Sequence, residues 1–424
     1  MKTKFSEVLI VSTNNLLQVF VNLWLLKFLS NGLDESNFGK LQLVNVACTI
    51  VNFIIYGPLN AAVQRYYSVA SENREYDKYI VAIKRISVLT VYFVFLFFFP
   101  PLFFYFFISV NLSLIEILVS LCYLVLAGQN IVFLGILTGG RNRVHVLVFQ
   151  SADFMVKILM VYIFRLHLEL HNVLLIFFIG SFCSFLIGYY YCFHEPVSIS
   201  VDEGVDVWFS KLKAYALPFA KWGLLGWGQI FSERFFLKIN SSIESVAHFS
   251  ALFQIGYQSI VLIDNIITQV ATPILYQMAG PGISGSRLIS YCIAVLKLIL
   301  VKLIFYSLVA SLIIYNSEFI VNSLTGPIYL KYIDYMPLFA ISAILFIIAQ
   351  TATLIVVSQL ETNLLFAPKV YTALIAIACN YVFSFYLGLL GTVFSGVIFS
   401  IFYFIWIAKL SMHKIYRLKS YEVN

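Results

Sequence analysis

Charge is what this chain has least of. Asp, Glu, Lys and Arg make up 11% of its 424 residues, against about a quarter in an average soluble domain. Too little polar side chain remains to cover a water-soluble particle of this size. Long polar connections are scarce as well. The longest run to about 20 residues, at 65–85 and 194–213, and others such as 30–39 and 167–172 are shorter. A membrane glycosyltransferase or saccharide polymerase needs an ordered polar pocket on a sizeable loop, and none of these is long enough. The sequence therefore points away from an enzyme and towards transport. Patterned cysteine is missing too. Six cysteines (Cys48, Cys122, Cys183, Cys192, Cys292, Cys379) stand singly, without CxxC or His/Cys ligand spacing. They support neither a disulfide framework nor a metal site, and no cofactor is expected.

What is present is apolar. Hydrophobic residues make up 61% of the chain and aromatics 17%, with mean hydropathy +0.92. About twelve continuous apolar runs of roughly 20 residues follow one another, the length of a transmembrane helix; a barrel strand would alternate over about ten. The expected spans are 8–30, 40–63, 86–109, 114–138, 144–165, 172–193, 214–236, 246–274, 291–316, 334–357, 364–387 and 389–410. The fold class is all-α, a polytopic membrane protein of two six-helix bundles at 1–193 and 214–424. The polar stretch HEPVSISVDEGVDVWFSKLK (194–213) forms a cytoplasmic linker between them. The start MKTKFSE lacks a cleavable-signal pattern and leads into the first span.

Orientation follows from the basic residues. With the N-terminus inside, inward connections hold 17 of the 27 Lys and Arg and outward ones hold 5. This bias predicts both termini in the cytoplasm. The net charge of +7 then belongs to cytoplasmic ends lying against anionic lipid, above all the tail KLSMHKIYRLKS (409–420), and needs no nucleic acid. Residues 38–70 can be laid without gaps on residues 247–279, both ending Tyr-x-x-Ala (Tyr67, Ala70; Tyr276, Ala279). The copies fall on the second and eighth spans, as a six-plus-six parallel duplication requires.

Charges at bilayer depth cost about 2.5–3.5 kcal/mol each on insertion scales, so each asks for a reason. Asp153 and Lys157 are four apart on the fifth span and share a face. They form either a mutually neutralised structural pair or an ion- or proton-responsive pair lining a cavity. Lys221 and Asp264, on the seventh and eighth spans, are expected to pair between helices, as a tie or in transport. Pro218 and Pro273 bend these same helices. Lys297 and Lys302 are expected to snorkel, Glu116 to reach water, and Trp222, Trp227 and residues 101–107 to meet lipid or interface. Lys27, Arg65 and Arg234 end spans. Turned inward they make a basic cavity for an anionic substrate; turned outward they anchor membrane edges.

Residues 38–68 resemble the second helix of the polysaccharide flippases (Wzx-type O-antigen and capsule exporters), with a Tyr/Phe-Gly start and a terminal Arg-x-x-Ser at Arg65 and Ser68. Residues 215–256 resemble that family's seventh-to-eighth helix signature, through Leu217-Pro218, the pair Glu233-Arg234, and Val246 to Ala251 after a short loop. His248 departs from the usual glycine there and loosens the expected loop. The resemblance implies the superfamily that includes multidrug (MATE-type) exporters and the lipid II flippase, with two bundles in a V around a central cavity. It implies an undecaprenyl-diphosphate-linked oligosaccharide as substrate, flipped from the cytoplasmic to the outer leaflet of a bacterial inner membrane. Lys27, Arg65 and Arg234, joined by Lys221, are then the cationic cavity candidates. Asp153, Lys157, Asp264 and Glu233 are candidates for ion coupling (H+ or Na+) or structural pairing. Implied partners are membrane lipids and the polymerase and chain-length proteins of the same pathway. The competing readings are a MATE-like drug/cation antiporter, which needs a net acidic cavity, and a membrane polymerase or ligase.

Overall fold

The computed structural model describes residues 2–194, 204–279, 285–357 and 362–423. Among these the secondary structure is helical throughout. The reason is physical: in hydrocarbon a helix satisfies every backbone N–H and C=O within its own segment. Two compact units form, one running to Trp227 and the other from Gly228.

In the first unit, α1 is Lys2–Gly32, α2 is Glu35–Glu72, α3 is Tyr76–Ser109, α4 is Leu114–Gly139, α5 is Arg143–Ile163, α6 is Leu170–Phe193 and α7 is Val205–Ile230. All but α1 and α7 are long and apolar enough to cross a membrane. α1 is diluted by Asn14, Asn15, Gln18 and Asn22. Its Asn14 is buried and donates to Gln150 on α5 at 2.5 Å, so this polarity is spent inside the unit. α4 begins in a capping box. Ser113 Oγ accepts from the Glu116 N–H, and the Glu116 carboxylate accepts from the Ser113 N–H at 2.8 Å. Glu116 thus has a structural task beyond reaching water.

α2 is interrupted by a π turn at Asn52–Tyr56. A π turn widens the helix and leaves carbonyls less covered, and α7 fits against this point. A Cβ on Gly223 would stand 1.8 Å from the Phe53 carbonyl oxygen, so only glycine permits the approach. The start of α7 docks on α2 and α3 through Trp208, 1% exposed, whose ring meets Tyr66 and Tyr79 edge-on. Of the expected linker 194–213, residues 195–203 lie outside the described residues, and from Val205 the chain is already helix.

In the second unit, α8 is Glu233–Asn240. α9 comprises Ile243–Phe253, a π turn at Gln254–Gln258 and Ser259–Ala279. α10 is Gly285–Tyr315, α11 is Ser317–Thr325, α12 is Met336–Val357 and α13 is Phe366–Val423. The two segments aligned as a repeat each carry a π turn, but the turns do not coincide in the alignment. α13 is two arms. Gly388 takes φ 57°, ψ −128°, open in practice to glycine alone, and the chain folds back there. Gly391 then abuts the Phe383 carbonyl, Ser395 reaches the Ala376 carbonyl, and Tyr371 stacks on Trp406, an antiparallel pairing.

Three expectations need correction. The seventh span, expected at 214–236, starts at Val205, stops at Ile230 and resumes as α8. Ser232 fixes this break: it donates to the Gly228 carbonyl at 2.7 Å and accepts from Asn380 at 3.1 Å. His248 falls inside the expected eighth span. It is buried within the first turns of α9, edge-on to Tyr329 and Tyr332. Lys302 does not snorkel, and Asp264, expected to pair with Lys221, meets Lys302 within its own unit; the site geometry explains why.

Candidate functional site

The membrane-depth carboxylates Asp153, Glu233 and Asp264 each meet a base within their own unit. On α5, Asp153 Oδ2 lies 2.6 Å from Lys157 Nζ, the i,i+4 pair that the spacing predicts. The ammonium also sits over the rings of Phe177 and Tyr123, at 5.0 and 5.8 Å from their centroids. Gly180 on α6 faces this pair so closely that a Cβ there would lie 2.9 Å from Asp153 Oδ1. That oxygen is buried and has no hydrogen-bond partner among the described residues.

In the second unit, Glu233 and Arg234 open α8 just after the Ser232 break, and both are buried. Their side chains approach to 3.4 Å, and Arg234 Nε donates to Ser250 Oγ at 3.0 Å. The guanidinium lies over Phe253 at 4.5 Å and Phe249 at 5.3 Å, a geometry that a planar cation exploits. Arg234 is thus turned inward and engaged by its own unit. Beside it, Glu233 lines a small cavity with Gln229, Phe249, Phe253, Tyr257 and Ser342.

Asp264 on α9 meets Lys302 on α10, Oδ1 to Nζ 2.7 Å. Lys302 is 1% exposed, so it cannot reach an interface. Tyr306 donates to the same carboxylate at 2.8 Å, and Thr268 and Thr351 complete the cluster. Tyr306, Thr268 and Thr351 escaped the sequence reading, which took Lys302 to snorkel. The signal was present: Asp264/Thr268 and Lys302/Tyr306 are both i,i+4 polar pairs, the rule that found Asp153/Lys157.

Lys27, Arg65 and Lys221, all in the first unit, are exposed. None has an ion-pair partner among the described residues. The structure therefore separates the four cationic candidates: Arg234 is buried and paired, and Lys27, Arg65 and Lys221 are exposed.

No family model matches the chain, and no curated protein matches it in sequence. Solved structures do match in fold. A multidrug-resistance MATE transporter of the MOP superfamily, facing inward, superposes with TM-score 0.72 at 14% identity, over 96% of this chain and 96% of that one. The lipid II flippase MurJ, in an inward closed conformation, gives 0.70 at 13% identity over 98% and 90%. A MOP-superfamily transporter from Pyrococcus furiosus, described as having a binding pocket of reversed polarity, gives 0.67 at 16% over 97% and 96%.

Proposed function

We propose that this multi-pass membrane protein, which has the fold of MOP-superfamily transporters, is a flippase. It moves an undecaprenyl-diphosphate-linked oligosaccharide, an O-antigen or capsule repeat unit, from the cytoplasmic to the outer leaflet of a bacterial inner membrane by alternating access. Both termini lie in the cytoplasm. The cargo passes to the polymerase and chain-length proteins, and an H+ or Na+ gradient can supply the drive. The protein acts as a transporter and not an enzyme.

One observation carries the choice of substrate. Asp153, Glu233 and Asp264 are each neutralised by a base, while Lys27, Arg65 and Lys221 stand exposed with no ion-pair partner among the described residues. A drug/cation antiporter needs the reverse, an unpaired carboxylate to hold its cargo. An exposed arginine suits a diphosphate, which it grips with two parallel hydrogen bonds.

Deleting the gene tests the proposal by following surface polysaccharide and its lipid-linked precursors. Loss of surface polymer with repeat units accumulating on the cytoplasmic face is the expected outcome. Normal export, or unpolymerised units already on the outer leaflet, would overturn it. In the latter case the defect is one of polymerisation.

A further inference from the structure

The surroundings of Lys302 are those of a bound metal cation. An ammonium has three donors, and three oxygens from two other helices stand around it: Asp264 Oδ1 at 2.7 Å, Thr268 Oγ1 at 2.9 Å and Thr351 Oγ1 at 3.0 Å. Both threonine hydroxyls send their protons elsewhere. Thr268 donates to Asp264 Oδ2 at 3.1 Å, and Thr351 donates to the Ile347 carbonyl at 2.9 Å. Their lone pairs are therefore left for the ammonium. One carboxylate and two hydroxyl oxygens converging on a buried centre is the donor set that hard cations select. An ammonium held at these distances has nearly the size of a potassium ion.

We infer that Asp264, Thr268 and Thr351 form a monovalent-cation site whose occupant is built into the chain, the Lys302 ammonium, and that removing the ammonium opens the site to an alkali-metal ion. The tethered cation bridges α9, α10 and α12 permanently, where an exchangeable ion would bridge them only when bound. The same site cannot then carry a coupling ion, so any sodium dependence of transport arises elsewhere in the protein. Tyr306, donating to Asp264 from the lysine's own helix, holds the carboxylate whichever cation is present. This inference is independent of the substrate.

The test measures the thermal midpoint of the purified full-length chain in sodium, potassium and choline chloride at equal ionic strength. Wild-type protein is expected to give one midpoint in all three. Lys302→Ala is expected to fall in choline and recover saturably as potassium or sodium replaces it, and Asp264→Asn/Lys302→Ala to show no recovery. Where Lys302→Ala cannot fold in choline, monodisperse protein obtained only in an alkali salt is the same result. A Lys302→Ala midpoint indifferent to the cation overturns the inference. So does aggregation of Lys302→Ala in every salt while the double variant folds. Stoichiometric binding of radioactive sodium by wild-type protein, abolished in Asp264→Asn, overturns it as well, since the ammonium would then not fill the site.

Discussion

Lys302 Nζ lies 2.7 Å from Asp264 Oδ1, joining α9 to α10 through two side chains whose exposures are 1% and 12%. At this burial the pair stands or falls together. Asp264→Asn alone strands an ammonium away from water and is expected to cost about 3–5 kcal/mol. Asp264→Asn/Lys302→Met removes both charges, keeps the volume, and is expected to recover most of that loss. Unfolding of the purified single and double variants in choline chloride measures the difference, and additive losses would show that the two residues are not coupled.

An exposed ion pair of the first unit is predicted to behave oppositely. Arg85 Nη1 lies 2.6 Å from Asp206 Oδ1, but the side chains are 56% and 82% exposed. Exposed pairs contribute roughly 0.2–1 kcal/mol and are screened by salt. Arg85→Ala is expected to change the thermal midpoint little, because Trp208 and its tyrosine neighbours hold the start of α7 in place. A Trp208→Ala loss several times larger than that of Arg85→Ala in parallel melts would fit. Equal losses would not.

Much of the fold was legible because hydrocarbon leaves a chain so few options. The expected break between the last two spans at residue 388 coincides with Gly388, where the left-handed backbone turns α13 back on itself. The repeat of apolar runs and the Asp153/Lys157 pair were readable from spacing alone. The seventh span was misjudged because its stop is made by tertiary contact, Asn380 to Ser232, which no local pattern announces. Lys302 was misjudged for a related reason. A lysine near a helix end normally snorkels, and only the oxygens of two other helices reverse that. The inward turn of Arg234 likewise depends on Ser250, Phe249 and Phe253, which arrive from the following helix.

Two glycines are predicted to resist substitution for different reasons. Gly388→Ala puts a Cβ on a backbone with φ 57° and ψ −128°, at a cost of about 1–3 kcal/mol. Gly223→Ala needs no unusual dihedral but drives a methyl into the Phe53 carbonyl, a Cβ contact of 1.8 Å. Relieving it moves α7 off the π turn of α2, also about 1–3 kcal/mol. Melts of both variants check the magnitudes. A Gly388→Ala protein as stable as wild type would show that the chain turns elsewhere.

Arg234 and Arg65 are both arginines that the sequence reading placed at span ends, and lysine substitution is expected to tell them apart. Arg234 is 4% exposed, donates through Nε to Ser250 and lies flat over Phe253. A lysine keeps the charge but can neither stack as a plane nor reproduce that donor. Arg234→Lys should therefore lower stability by about 1–3 kcal/mol, the loss expected when a buried partner is left unsatisfied. Arg65 is exposed and has no ion-pair partner among the described residues, so Arg65→Lys should leave the melt unchanged. If Arg65 grips the diphosphate of the cargo with both guanidinium nitrogens, the same change lowers export of lipid-linked oligosaccharide, and Arg65→Ala lowers it further. Melting curves beside export assays on both variants separate the two roles. Unchanged export in Arg65→Ala, Lys27→Ala and Lys221→Ala alike would remove these three cations from the substrate's path.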